Sequence, residues 1–318
     1  MEKEAISKNS PLVLRIAAWF SERFPPANWI LLSFIYSTAL LFGHLIRSDG
    51  ILQISILDIL GVLPAIGFFL MLRVFDEHKD YELDCELHPE RVLQRGLITL
   101  NHLKVIGALS IFVQAGFSLL LDGGFGAVTA MWAITFGWSL LMAKEFFCRS
   151  WLNRHMLLYA LSHMVVTPMS MLWMAQMGAA PVLVSANVAW LAALSFASGA
   201  AFELTRKTRG PEEEREGLDS YTKTIGVVGA PLAILFFVLT SVALEIAVLK
   251  QVISEPAWYW FFVVICLALL PVGSVSAFLA RPSAKARKAN EAAVGLFMMA
   301  SYLVLLAAMI ADRGIAWL

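Results

Sequence analysis

The stretch RVFDEHKDYELDCELHPER, residues 73–91, decides how this chain is read. It follows directly on GVLPAIGFFLML, an apolar run suited to lipid. Asp76, Asp80 and Asp84 stand four residues apart. If the preceding helix continues, successive aspartates lie about 6 Å apart along its axis and drift about 40° per step. Three carboxylates then form one acidic stripe. Like charges at this spacing destabilise a helix, so the stripe makes sense when cations neutralise it. Mg²⁺ prefers hard oxygen ligands and is commonly held by one or two carboxylates plus substrate phosphates. A solvated helix end, with Arg73 and Lys79 offsetting the charge, accounts for the same triplet. The following HPERVLQRGLI favours an anion, because Arg91 and Arg95, next to Gly96, bring guanidinium forks suited to phosphate.

Composition places this stretch in a membrane protein. The chain of 318 residues is 59% hydrophobic and 15% charged, against about a quarter charged in a soluble domain. Its mean hydropathy is +0.73. Apolar runs long enough to cross the roughly 30 Å hydrocarbon layer recur throughout. They predict an all-α polytopic protein with nine spans, at 28–47, 52–75, 102–121, 126–147, 156–176, 180–202, 225–248, 258–280 and 292–311. Residues 1–27 form a separate N-terminal segment, in which PLVLRIAAWFSERF suits a helix lying in the interface. It has no small-residue cleavage site after a short apolar core and does not read as a signal peptide. Residues 28–318 form the transmembrane domain.

Charge sets the expected orientation. Of 24 Lys and Arg, only Arg47, Lys250 and Arg313 fall in segments on one side. Positive residues mark the cytoplasmic side, so the N-terminus is expected inside and the C-terminus outside. No basic stripe interleaved with aromatics points to nucleic acid. Three scattered cysteines, Cys85, Cys148 and Cys266, have no zinc spacing and no expected disulfide.

The cytoplasmic connections 76–101 and 203–224 are long and charged. The second, FELTRKTRGPEEEREGLDSYTKTIG, leaves its span through Glu203, followed by Arg206, Lys207 and Arg209. Gly210-Pro211 is expected to break the helix. Most of its charges suit a solvated connector; Glu203 and Lys207 stand out at the membrane boundary.

With these motifs in place, the chain resembles the UbiA superfamily of membrane prenyltransferases over most of its length. That family carries N-D-x-x-D-x-x-x-D, then P-x-R-P-L-x-x-G. Asp76, Asp80 and Asp84 match the first motif, with Phe75 in place of its Asn. Pro89, Arg91 and Gly96 match the second, with Val92 in place of its second Pro. The later D-x-x-x-D motif is altered. Gly217, Ser220, Tyr221 and Gly226 fit the spacing downstream of it. Counting back from Gly217 puts its aspartates on Arg209 and Glu213; counting from the sixth span puts them on Glu203 and Lys207. Glu203 is preferred as the boundary carboxylate.

The resemblance implies nine helices with both motifs at the cytoplasmic ends of the second and sixth. It implies Mg²⁺-dependent transfer of an isoprenyl group from an isoprenyl diphosphate to an aromatic or other hydrophobic lipid acceptor within a bacterial cytoplasmic membrane. Asp76, Asp80, Asp84 and Glu203 are then expected at the metal. Arg91, Arg95, Lys144 and Lys207 are expected at the diphosphate, with Asp76, Asp80, Lys144 and Glu203 catalytic. Lys144 also suits a snorkelling interfacial lysine. Tyr159, His163 and Asn187 are polar positions inside apolar spans, suited to substrate contact or to tying helices together. Met164, Met169, Met171 and Met174 read as packing, and Asp58 and Glu245 as solvated outer span ends. Cyclisation of an isoprenoid diphosphate and phosphoribosyl transfer to a polyprenyl phosphate share the first motif. A divalent-cation or small-solute permease is the reading from another class, and the D-G-x-x-A-R signature of CDP-alcohol phosphotransferases is missing.

Overall fold

The structure, a computed structural model, describes residues 6–48, 50–152, 154–215, 220–255 and 257–318. The chain opens with α1 (Leu12–Arg23), α2 (Pro26–Arg47) and a short strand β1 (Leu52–Ile54). The helices α3 (Ile56–Leu60), α4 (Val62–Lys79) and α5 (Tyr81–Leu87) lead to α6 (Leu100–Asp122) and α7 (Ala127–Ala143). Next come α8 (Arg149–Leu152), α9 (Met156–Met164), α10 (Val166–Ala179) and α11 (Val188–Lys207). Three long helices, α12 (Tyr221–Val252), α13 (Trp258–Ala280) and α14 (Ala284–Arg313), precede β2 (Ile315–Trp317).

Among the described residues, eight helices or abutting helix pairs are long and apolar enough to cross a membrane. The apolar α7, with 17 residues, falls at the short limit for a span. Each expected span therefore finds a helical counterpart. Their surface is inverted relative to a soluble bundle: Phe112, Phe236, Leu269 and Phe262 are exposed on outer faces, while Trp173, Phe68 and Leu305 fill the interior. The molecule is an integral membrane protein of helices.

Boundaries follow local chemistry. Pro26 stands at the first turn of α2, where a missing N–H costs nothing. Thr99 caps α6 by accepting from the His102 N–H. Three expected boundaries move. Residues 52–54 are a strand paired in parallel with 315–317, and the helix starts only after Ser55, whose side chain accepts from Asp58 N–H. The span expected at 180–202 begins at Val188; before it the Gln176 amide donates to the Val182 carbonyl and accepts from Val184 N–H, holding that segment as a loop. Asn187 is thereby an exposed residue at the helix start and not a polar group inside the bundle. The span expected to reach 147 stops at Ala143.

α1 is helical as expected, and it rests on protein. Trp19 is fully buried in a cluster with Val92, Leu93, Leu97 and Ile98. Arg15 Nη1 donates to the Leu97 carbonyl at 2.8 Å, and Glu22 accepts from Val92 N–H at 3.2 Å. Arg23 forms an ion pair with the buried Glu77. α1 thus fastens the loop after α5 to the end of α4.

Candidate active site

A cavity of about 420 Å³ lies where the ends of α4, α9 and α11 converge. α4 ends at Lys79 and α5 starts at Tyr81, yet the helical hydrogen bonds persist at each aspartate. Asp80 N–H reaches the Asp76 carbonyl at 2.9 Å, and Asp84 N–H the Asp80 carbonyl at 2.8 Å. The i, i+4 spacing survives the junction, and all three aspartates line the cavity as their pattern predicted.

Their carboxylates differ in what they hold. Asp84 accepts from Arg91 Nη1 at 2.7 Å and lies 3.8 Å from Arg23 Nη2. Asp76 is half-exposed, 3.7 Å from both Arg73 and Lys79. The Asp80 carboxylate makes no hydrogen bond or ion pair among the described residues. Burial pushes the Asp80 carboxyl above the usual carboxylate range; Lys79 opposes this, and Asp76, Asp84 and Glu145 add to it.

This donor set tests the expected metal. No group of three His, Cys, Asp or Glu side chains suited to one ion occurs among the described residues. The Asp80 carboxylate forms no ion pair among the described residues and Asp76 meets Arg73 and Lys79 only at 3.7 Å; a pair of carboxylates suffices for Mg²⁺ shared with a phosphate. Asp84, expected at the metal, is committed to Arg91, because the turn after α5 brings that guanidinium back. Glu203 is likewise engaged, with Lys207 Nζ at 2.8 Å and Arg206 at 3.8 Å. The residues fit an ion held by Asp76, Asp80 and phosphate oxygens, not an all-protein cage.

The cavity is lined by six cations, Arg23, Arg73, Lys79, Arg91, Arg206 and Lys207, against Asp76, Asp80, Asp84 and Glu203. That balance suits a multiply charged anion. Arg91 and Lys207, expected at the diphosphate, both line the cavity. Arg95 is exposed and outside the lining, with Nη2 3.4 Å from the Ile6 carbonyl. Lys144 is also exposed and outside it, because the chain turns left-handed over Glu145, Phe146 and Phe147 (φ 48°, 52° and 58°). Arg23, Arg73, Lys79 and Arg206 were not singled out at the site, although Arg73 and Arg206 stand three residues from Asp76 and Glu203. Asp219 and Gly217 of the altered second motif lie outside the described residues.

Tyr159 and His163, read as polar positions in the bundle, both border the cavity. The Tyr159 hydroxyl accepts from Lys79 Nζ at 2.8 Å, and Lys79 and Lys207 stand 5.5 and 5.8 Å from its ring centroid. A second chamber of about 350 Å³ adjoins the first. The two share Leu72, Arg73, Asp76, Met164, Glu203 and Arg206. Beyond that boundary its wall is largely apolar, with Leu31, Ile35, Phe69, Phe202 and Met298. Met164, expected as packing, faces both spaces, and Met171 is buried in the core and borders the apolar chamber; Met174 is core.

Two outer carboxylates are corrected. Asp58 is paired with His44 Nε2 at 3.0 Å and is only slightly exposed. Glu245 is fully buried, because α12 continues about two turns beyond it to Val252. It lines neither chamber.

Fold and site together define a membrane-embedded helix bundle with a charged mouth on an apolar chamber. The bundle shares the fold of a UbiA homolog from Aeropyrum pernix K1, with a TM-score of 0.64 and 18% identity over 88% of this chain and 98% of that one. A structure described for digeranylgeranylglyceryl phosphate synthase is similar at a TM-score of 0.59 and 18% identity, over 95% of this chain and 99% of that one. No family model matches the chain, and no curated protein matches it. The fold is thus the one the aspartate motif and the span pattern anticipated.

Proposed function

We propose that this protein transfers an isoprenyl group from an isoprenyl diphosphate to a hydrophobic acceptor within the membrane. The observation that carries this reading is the joining of the two chambers. One end offers a surplus of Arg and Lys around Asp76 and Asp80, and the other offers a largely apolar wall. An amphiphile with a diphosphate head and a hydrocarbon tail satisfies both ends. The likeness to the UbiA homolog and to digeranylgeranylglyceryl phosphate synthase supports the same class.

The chemistry requires an allylic C–O bond to break with its electron pair leaving on diphosphate. Arg73, Arg91, Arg206 and Lys207 neutralise that charge from fixed positions. Mg²⁺ held by Asp76 and Asp80 would supply further charge neutralisation at the leaving group. Lys79 is oriented by the Tyr159 hydroxyl, and Glu203 holds Lys207 and Arg206 in place. The apolar chamber keeps water from the developing cation until the acceptor meets it. The lopsided distribution of Lys and Arg supports a mouth facing the cytoplasm.

Titration of purified protein with geranylgeranyl diphosphate, in Mg²⁺ and then in EDTA, tests the reading. Saturable binding that weakens at least tenfold in EDTA is expected. Binding indifferent to metal, or none, overturns it. Arg91→Ala adds a second expected result. Losing a charge-assisted contact worth roughly 1.5–3 kcal/mol should raise the donor Kd by about ten- to a hundredfold. An unchanged Kd in the same titration would remove Arg91 from the site.

A further inference from the structure

The ends of α4 and α11 both reach the charged cavity, and each brings a pair of side chains four residues apart. At the end of α4 the pair is Asp76 and Asp80; at the end of α11 it is Glu203 and Lys207. The first pair is two acids, whereas the second joins an acid to a base. Glu203 Oε1 lies 2.8 Å from Lys207 Nζ, and Oε2 lies 3.8 Å from Arg206 Nη1. The acids that follow in the chain are turned elsewhere. Glu212 accepts from Ala284 N–H at 2.6 Å, and Glu214 accepts from the Ser220 hydroxyl at 2.6 Å. Glu213, the other candidate for the altered motif, pairs with Arg287 at 2.9 Å and lies outside the cavity lining. Among the described residues, Glu203 is thus the sole acid that α11 and the connection after it bring to the cavity.

The Lys207 ammonium is fixed in place and still within reach. Glu203 holds it at one side, and it stands 5.8 Å from the centroid of the Tyr159 ring, an arrangement that favours a cation. That ring is itself stacked on His163, with centroids 4.0 Å apart, and its hydroxyl accepts from Lys79 Nζ. A third of the Lys207 side chain stays exposed.

A diphosphate leaving group takes on more negative charge than one divalent ion neutralises, and two-metal sites answer this with an ion on each side of the reacting oxygens. Here one side offers Asp76 and Asp80, and the other offers an ammonium already seated on a carboxylate. A lysine ammonium is a compact point charge with three donors, so it can hold phosphate oxygens without a coordination shell. We infer that the Lys207 ammonium takes the place of a second divalent cation, so that the diphosphate is bound with one metal ion and not two. This rests on the transfer reaction proposed above, and it fixes the ion count and the residue that sets it.

The test counts ions with Mn²⁺ as the spin probe for Mg²⁺, in protein saturated with the non-transferable thiolodiphosphate analogue of geranylgeranyl diphosphate. After free metal and analogue are removed, the wild type should retain one Mn²⁺ per chain, with the six-line spectrum of an isolated ion. Lys207→Asp places a second carboxylate beside Glu203 and should retain two, with a spectrum broadened by their coupling. Lys207→Met removes the charge without adding a ligand. It should keep one ion while the Kd of the analogue rises about tenfold. Thermal unfolding verifies that the variants are folded, and Lys207→Glu replaces Lys207→Asp if that protein is not. Two Mn²⁺ on the wild type overturn the inference and leave the donor reading standing, as does a single Mn²⁺ on the folded acidic variant. If the analogue does not load wild-type protein, or loads it without metal, the transfer reading with its Asp76 and Asp80 clamp has itself failed, and this inference with it.

Discussion

Asp80→Asn should lower the Mg²⁺-dependent affinity for isoprenyl diphosphate by about a hundredfold, roughly 2.7 kcal/mol, without destabilising the fold. The two halves of this expectation have one cause. The Asp80 carboxyl is partly buried, has no hydrogen-bonding partner among the described residues and is pushed above the usual carboxylate range. Its ionised form is therefore disfavoured in the folded protein relative to the unfolded chain. A carboxyl whose folded pKa is raised weakens stability at every pH above its unfolded value. At neutral pH the asparagine removes that penalty, so the thermal midpoint should stay or rise. Binding should suffer because a bridging cation loses one of the two carboxylates proposed to hold it. Protons compete with the cation at the same group, so wild-type affinity in Mg²⁺ should fall on acidification, starting at higher pH than for an ordinary aspartate. Donor titrations at several pH values and a melting curve in detergent check both halves. A variant that keeps its metal response, or one that melts several degrees lower, would make Asp80 a structural residue.

The same contrast explains how much the sequence discloses. Spans were legible because lipid demands long apolar runs, and residues 258–280 were placed to the residue. Short departures such as 52–54, which pair with residues 263 positions later, carry no local signal. The aspartates were legible because a four-residue spacing survives the α4–α5 junction. Their partners were not, since the Asp84–Arg91 contact depends on a turn at 88–91. Arg73 and Lys79 were masked by their own neighbours: each stands three residues from Asp76 and passed for local charge compensation. Lys144 was misplaced because nothing in EFF announces a left-handed turn; no glycine is there to mark it. Glu245 was misjudged from a span end drawn four residues short.

Gly178→Val should have the largest effect on the fold itself, and through it on the apolar chamber. α2 and α10 cross with their backbones almost in contact. A Cβ on Gly178 would fall within the van der Waals surface of the Leu40 carbonyl oxygen, and 2.9 Å from its carbon. A Cβ on Gly43 would overlap the Ala175 carbonyl oxygen and stand 2.7 Å from Ala179 N. Backbone cannot rotate aside as a side chain can, so the helices must part. Small residues at such crossings let membrane helices gain dispersion contacts, because lipid supplies no hydrophobic force between them. Overpacking a tight interface costs typically 1–3 kcal/mol, and a backbone clash belongs at or above the top of that range. The same two helices supply Leu31 and Ile35, and Thr167 and Met171, to the wall of the apolar chamber. Gly178→Val should therefore lower the thermal midpoint and the yield of monodisperse protein, with Gly178→Ala intermediate. Gly116→Ala in α6 is the control, since its added Cβ meets nothing within 4 Å. It should be neutral or slightly stabilising, as alanine is favoured over glycine in a helix interior. If Gly178→Val melts with the wild type, α2 and α10 are not in contact in the membrane, and the chamber they wall is wider than drawn.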